Sequence, residues 1–260
     1  MLMTQLTQTT LTSRQLEILI LLYRFRFLTR SHIQTLLHHK NHAHILKWLN
    51  ELTSQNYITQ YYTKTIPASP AIYSLAKLGR TYLKAHTDSN TKHLSRLRRD
   101  PVYTSKFRSH CLFLADIYIS LLELTAKTKA TLHFSTKAEL YGMESLIKPA
   151  PDAYIAIEEA TGTTKRYFLD VFDDIPPVGM RKRVRQYFDY YESDEWQSST
   201  DKPFPSIILV CPNERVKKHL GFIIRRKLED ESNMNFYLAC SEAVKAKGLT
   251  VETLYKVFSG

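Results

Sequence analysis

The chain has 260 residues, 43% hydrophobic and 23% charged, with seven Gly and ten Pro. That length sustains one or two globular domains, and that composition excludes a collagen-like, low-complexity or generally disordered chain. Thirty-six Lys and Arg against twenty-five Asp and Glu leave a formal charge of +11. Such an excess suits a polyanion, most often a nucleic acid, although it also serves plain solubility.

The longest apolar run, 18–23, stops at Arg24, well short of the roughly 20 residues of a membrane helix, so no membrane partner is expected. The first five residues, Met1-Leu2-Met3-Thr4-Gln5, lack the basic and apolar segments of an export signal, which makes the cytoplasm the expected compartment. Cys111, Cys211 and Cys240 lie far apart with no CxxC pair. Neither a disulfide framework nor a thiolate zinc site is expected.

Residues 12–27 carry Leu16, Leu19, Ile20, Tyr23 and Phe27 at helical spacing behind Thr12 and Ser13, which predicts a capped helix with one apolar stripe. A second short helix is predicted over 29–38, with Ile33, Leu36 and Leu37 inward. A third starts after Asn41, with Ile45, Leu46, Leu49 and Leu52 inward, and ends at Asn56. Residues 57–62 and 72–75 read as strands around a Pro67/Pro70 turn. Three helices and a hairpin make a winged helix-turn-helix, whose third helix enters the major groove. Its outward face offers His44, Lys47, Glu51 and Ser54 beside His42 and Asn50, and Lys47 and Asn50 carry donors for phosphates or base edges. The run from His38 to His44 holds four histidines but no acidic or thiol partner, so a physiological metal is not expected there.

A helix follows over 75–85. From Lys77 to Arg108 there are nine basic residues against two acids, with linker-like flanks at 86–90 and Pro101. This basic stretch either tracks a phosphate backbone or stays extended by self-repulsion. Residues 109–124 predict a strongly apolar helix. Residues 152–158 and 166–171 predict two strands joined by Thr161-Gly162-Thr163. A hairpin centred on Thr161 sets Asp152 opposite Asp170, with Cβ atoms about 5 Å apart. Like charges so placed need a metal, a proton or a basic partner, and a shared Mg²⁺ or Mn²⁺ would also activate water against a phosphodiester. A basic helix over 180–191, a buried strand over 205–210, a second basic helix over 213–228, a strand over 236–239 and a helical tail complete a mixed sheet flanked by helices.

The order of a winged helix, Ser109-His110-Cys111-Leu112, Pro151-Asp152-Ala153, Phe168-Leu169-Asp170-Val171, a basic helix ending in Tyr187, and Ile207-Ile208-Leu209-Val210-Cys211 resembles the replication-relaxation proteins of plasmids and other mobile elements. The resemblance spans roughly 12–228 and rests on the order of short motifs. It implies kinship with a plasmid mobilisation class of relaxases built on a restriction-endonuclease-like fold. That fold's signature is Pro-Asp, then Asp or Glu, any residue, and Lys, written PD-(D/E)xK. Asp152 and Asp170 match the two acids, with Asp173 nearby as a further ligand. Phe172 stands where the lysine belongs and cannot position water or stabilise phosphate charge. Lys182 is a better replacement than Arg183, since arginine stays protonated.

The expectation is thus an α/β (α+β) chain with a winged helix at 10–86, a basic linker at 87–108 and a PD-(D/E)xK nuclease-like domain at 109–260. DNA, double-stranded and in some settings single-stranded, is the expected partner, and a homodimer is compatible. The residues expected on DNA are Lys47, Asn50, Lys64, Arg96, Arg98, Arg99, Arg181, Lys182, Arg183 and Arg185. The first reading is a DNA-binding protein of a mobile element, acting in replication, mobilisation or their control, without a cofactor. The second is a nickase or relaxase using Asp152, Asp170 and Lys182 with Mg²⁺ or Mn²⁺ on the two acids. Covalent nicking through Tyr187, Tyr190 or Tyr191 lacks the paired-histidine metal motif.

Overall fold

Thr12 begins the first helix with a reciprocal cap: its hydroxyl accepts from the Gln15 amide at 3.3 Å, and the Gln15 side chain accepts from the Thr12 amide at 3.0 Å. Two of the orphan N–H groups at the helix start are thereby satisfied. In this computed structural model, which describes residues 11–62, 70–173, 175–228 and 234–258, the chain divides into two compact units, Met1–Pro101 and Val102–Gly260.

The first unit runs α1 (Ser13–Phe25), β1 (Leu28–Thr29), α2 (Arg30–Leu36), α3 (His42–Ser54), β2 (Ile58–Tyr61), β3 (Ile72–Leu75), α4 (Lys77–His86) and α5 (Thr91–Arg96). Ile45, Leu49 and Leu52 recur every three to four residues on α3 and are fully buried, so the helix faces the core with one stripe and solvent with the other. The three strands form an antiparallel sheet in the order β1-β3-β2. Three helices with a small sheet closing them make the winged-helix arrangement the sequence predicts. Thr63, Lys64 and the Pro67 half of the expected turn lie outside the described residues.

The stretch expected as a linker, 87–108, folds instead. Asn90 caps α5 by accepting from the Lys92 and His93 amides. His93, Leu94 and Leu97 turn inward, and a short 3-10 helix, Leu97–Val102, brings the fully buried Asp100 onto Arg26. The positive charge that suggested an extended chain sits on the outer face of helical turns, because every third or fourth residue is apolar enough to be buried.

The second unit runs α6 (Ser105–Thr128), β4 (Thr131–Thr136), β5 (Ala153–Glu158), β6 (Thr164–Val171), α7 (Pro177–Glu192), α8 (Glu195–Thr200), β7 (Ser206–Cys211), α9 (Glu214–Leu228), β8 (Phe236–Cys240), α10 (Ser241–Lys247) and β9 (Tyr255–Val257). The sheet order follows the chain, β4 to β9. The β4-β5-β6 pairs are antiparallel, β6-β7-β8 are parallel, and β9 closes the far edge antiparallel. The expected helical tail is therefore one short helix followed by an edge strand. By length and composition α6 could cross a membrane. Here its Cys111, Phe113, Leu114, Ile117 and Leu121 are buried, and it packs on β4 and α10.

Alternation along the sheet decides which residues meet α7 and α9. Phe168 and Phe172 of β6 and its continuation share a buried cluster with Met180, Val184 and Tyr187 of α7 and Leu220 and Ile224 of α9. With a side-chain period of two, Asp170 faces α7 as well.

Candidate functional site

Two places gather candidate functional side chains, one in each unit. On α3 the side chains of His42, His44, Lys47, Asn50 and Ser54 are exposed, and Lys47 lies 4.0 Å from Glu51 one turn on. His39 and His44 pack against Trp48, with centroids 5.1 and 6.2 Å from its ring. Among the described residues no group of three or more His, Cys, Asp or Glu is placed to hold a metal. Leu46, expected inward, is 38% exposed on the same helix, because the buried stripe is filled by Ile45, Leu49 and Leu52; the rest of the exposed surface is mainly polar and without excess acid, as a groove-entering helix needs.

The second place is built by register. Ala153 pairs with Leu169 on β6 and with Thr136 on β4. One step further along each strand brings Lys137, Asp152 and Asp170 side by side. This is the hairpin register the sequence predicts, and the Asp152 amide donates to the Leu169 carbonyl at 2.9 Å. Glu139 accepts from the Thr136 amide at 2.9 Å and from its hydroxyl at 3.1 Å, which folds the end of β4 into a turn and sends Lys137 onto Asp152, 2.6 Å away. The cluster lies at the carboxyl end of β6, the first of the parallel strands. In open sheets that is where clefts form.

Each carboxylate has its own partners. Asp152 receives Lys137, His110 at 3.4 Å and the Val171 amide at 2.8 Å. Asp170 receives Arg183 Nε at 2.6 Å and the Tyr187 hydroxyl at 2.7 Å. Arg183 also donates to the Pro149 carbonyl at 2.7 Å and lies over the Tyr187 ring at 4.4 Å. His110 spans two acids, donating from its other nitrogen to Asp173 at 3.0 Å. Burial pulls the His110 imidazole down, but Asp152 and Asp173 raise it to about 10. Burial alone would raise Asp152, yet Lys137 and His110 hold it far below the usual carboxylate range. Asp170 is pushed up by burial, which Arg183 only partly offsets. Around these groups lies a cavity of about 420 Å³, with Lys106, Phe107, Ile175 and Lys182 also in its walls.

Lys182 is exposed on that wall, and the contacts to the two acids come from Lys137, His110, Arg183 and Tyr187. Arg183, expected on DNA, turns inward and is 6% exposed, because Asp170 needs a buried counter-charge. Arg181 and Arg185 stay on the outer face, as do Arg96, Arg98 and Arg99 of the first unit. Phe172 is fully buried, and its amide extends β6 by donating to the Val210 carbonyl at 2.8 Å. Tyr187 is fully buried and donates its proton to Asp170. Burial and Asp170 push its ionisation well upward, the opposite of what a nucleophile requires. Tyr190 donates to the Ser145 carbonyl and is pushed up to about 12 by burial, while Tyr191 packs on Phe204.

Sequence reasoning missed Lys137 and the role of His110. The signal for His110 lay in the Ser109-His110-Cys111 motif. For Lys137 it lay in the short alternation of β4, 131–136, which reads as a loop until its partner strand is known.

The donor set does not suit Mg²⁺ or Mn²⁺. Three carboxylates, Asp152, Asp170 and Asp173, already face three cations, Lys137, the His110 imidazolium and Arg183. A divalent ion needs free carboxylate oxygens, and taking them would leave Lys137 and Arg183 beside it with their own charges uncompensated. The Lys106, Lys137 and Lys182 side chains add positive charge to the wall of the cleft.

A family model described as replication-relaxation matches residues 19–207. Among solved structures the chain is similar to the zinc-responsive MarR family member ZitR of Lactococcus lactis, at 21% identity and TM-score 0.28 over 46% of this chain and 79% of that one. It is similar to a ZitR variant in complex with DNA, at 24% and 0.28 over 46% and 77%. It is also similar to the adhesin competence repressor AdcR of Streptococcus pyogenes, at 22% and 0.27 over 46% and 85%. No curated protein matches the chain.

Proposed function

The chain belongs to the replication-relaxation family, with more than two thirds of its length inside the family match, and from that premise we propose that it is a DNA-binding protein of a plasmid or other mobile element. It acts in the cytoplasm, in replication, mobilisation or their control, through the winged-helix unit. The observation that carries this reading is where the charge sits. Residues 1–101 hold fourteen Lys and Arg against four Asp and Glu, a net +10 of the chain's +11. The same unit carries the helix α3, whose exposed Lys47 and Asn50 have the donors that phosphates and base edges accept.

The second unit is nuclease-like in its Pro151-Asp152 and Asp170 residues, and in this reading it positions DNA without cutting it. The charge balance at Asp152 and Asp170 supports that, since both acids are engaged by protein cations. The competing reading is metal-dependent nicking by the same acids, and their meeting at the carboxyl end of the parallel strands favours it.

Both readings are tested with supercoiled plasmid and a labelled duplex of mixed sequence. Lys47→Ala/Asn50→Ala should weaken duplex binding at least tenfold with unchanged melting. Duplex affinity equal to the wild type would overturn the winged-helix reading. With Mn²⁺ the plasmid should stay intact. Nicking that needs Mn²⁺, stops with EDTA and disappears in Asp152→Asn would establish the enzyme reading instead.

A further inference from the structure

The outer face of α9 concentrates cations around one exposed aromatic ring. Phe222 is 66% exposed, a large apolar side chain that the fold does not use. At 100° per residue, Arg215, Lys218, His219, Arg225 and Arg226 all fall within about 60° of it on the helix surface, and all five are exposed. The inward face carries Leu220, Ile224 and Leu228. From 215 to 226 the sequence contains no acid, and Glu214 at the helix start is paired with Lys217 at 2.7 Å. Glu229, Asp230 and Glu231 follow α9 in sequence and lie outside the described residues.

The neighbouring edge strand continues the same surface. Tyr255 of β9 is 46% exposed, and its hydroxyl accepts from Arg225 at 3.1 Å. Phe258, just beyond β9, is 60% exposed, with the Lys256 ammonium 5.4 Å from its ring centroid. Three exposed rings stand among cations on a unit whose own net charge is only +1, twenty-two Lys and Arg against twenty-one Asp and Glu. The patch is a local concentration of charge, and the unit's overall composition does not produce it.

We propose that the α9–β9 face binds single-stranded DNA, with Phe222 and Tyr255 stacking bases and Arg215, Lys218 and Arg226 neutralising the adjoining phosphates. Exposed aromatics bordered by Lys and Arg form a platform on which unpaired bases stack, because every base has an apolar π-face. A duplex keeps those faces inside its own stack and offers Phe222 only sugar and phosphate. Charge complementarity explains the cations for either form of DNA, and the exposed rings select the single strand. The cations of α9 run about 16 Å along the helix at 1.5 Å per residue, an extended track that follows a strand. None of its residues belongs to α3 or lines the Asp152 cleft, so it adds to the proposed duplex-binding role.

The test is fluorescence anisotropy with the full chain, a labelled 20-nucleotide oligothymidylate and a labelled 20-base-pair duplex of mixed sequence. Phe222→Ala should weaken oligothymidylate binding about tenfold, the worth of one stacked base, and leave duplex binding within twofold. Phe222→Tyr should restore it. Lys218→Glu/Arg226→Glu should weaken oligothymidylate binding at least tenfold and flatten its salt dependence. All three variants change exposed side chains and should melt like the wild type. Oligothymidylate affinity unchanged in both Phe222→Ala and the double variant would overturn the proposal and leave the face to an acidic protein. Equal losses on duplex and single strand in Phe222→Ala would overturn it too. The Lys47→Ala/Asn50→Ala protein, run in parallel, should lose duplex and keep oligothymidylate, which separates failure here from failure of the winged-helix reading.

Discussion

His110 gives both ring nitrogens to carboxylates, Asp152 on one side and Asp173 on the other, and only an imidazolium has two protons to give. A free histidine has lost that charge above about 6.5, whereas in the fold it keeps it to about 10. The folded state therefore binds more protons than the unfolded state between those limits. The stabilisation is complete below about 6.5 and drains away as pH rises through about 10. Melting temperature followed from pH 6 to pH 10.5 should fall more steeply for the wild type than for His110→Gln, because the variant lacks this linkage. Parallel curves for the two proteins would place the histidine charge outside the folding equilibrium. Lys137 stands differently. Its side chain is half-exposed although its ammonium touches a buried acid, so the ion pair joins a buried carboxylate to the solvent-facing wall of the cleft.

Packing between elements in the first unit turns on Gly79. A methyl group built there would lie 2.2 Å from the Tyr57 carbonyl oxygen, which itself accepts from the Ala76 amide at 2.9 Å. Helix α4 can lie against Tyr57, just before the start of β2, only because this position has no Cβ. Gly79→Ala should cost about 1–3 kcal/mol, read as a lower urea midpoint with unchanged slope, and an unchanged midpoint would mean that α4 shifts freely. Elements of this local kind were legible in the sequence. Thr12, Thr29 and Asn41 announce helix starts, and each accepts the expected backbone bond. Gly162, with φ of 83°, turns the hairpin where the Thr-Gly-Thr signal puts it. Elements stabilised by distant partners were not legible. Strand β4 has only six residues, half of them Thr or Ser, and pairs with a strand more than fifteen residues on. The helix at 91–96 reads as a charged linker until Asp100 and Arg26 are seen to meet. Of the candidate site, the facing of Asp152 and Asp170 followed from a local hairpin. Lys137 required a long-range register, and the inward turn of Arg183 required knowing which face of α7 is covered.

On the scale of the whole chain the charge is distributed as two problems. The first unit carries nearly all the net excess, which sets long-range attraction to polyanions, and the second carries balanced charge. If the first unit contacts about six phosphates, duplex affinity should fall roughly 10³-fold between 50 and 200 mM salt. A flat response would sink the phosphate-contact argument. Lys47→Ala/Asn50→Ala should reduce that slope by about one for the lysine removed, whereas changes on α9 should leave the duplex slope as it is.

The Val171 amide, at the end of β6, donates to the Asp152 side chain at 2.8 Å. Its protection from solvent deuterium therefore depends on a carboxylate that can move away, while its ladder neighbours depend on strand separation. Whatever draws Asp152 off Val171, be it an added cation, a bound anion that takes Lys137, or loss of the His110 proton, should speed exchange at this one amide. Val171 is thus a built-in reporter of the state of the cleft, readable by mass spectrometry or NMR before any ligand has been identified.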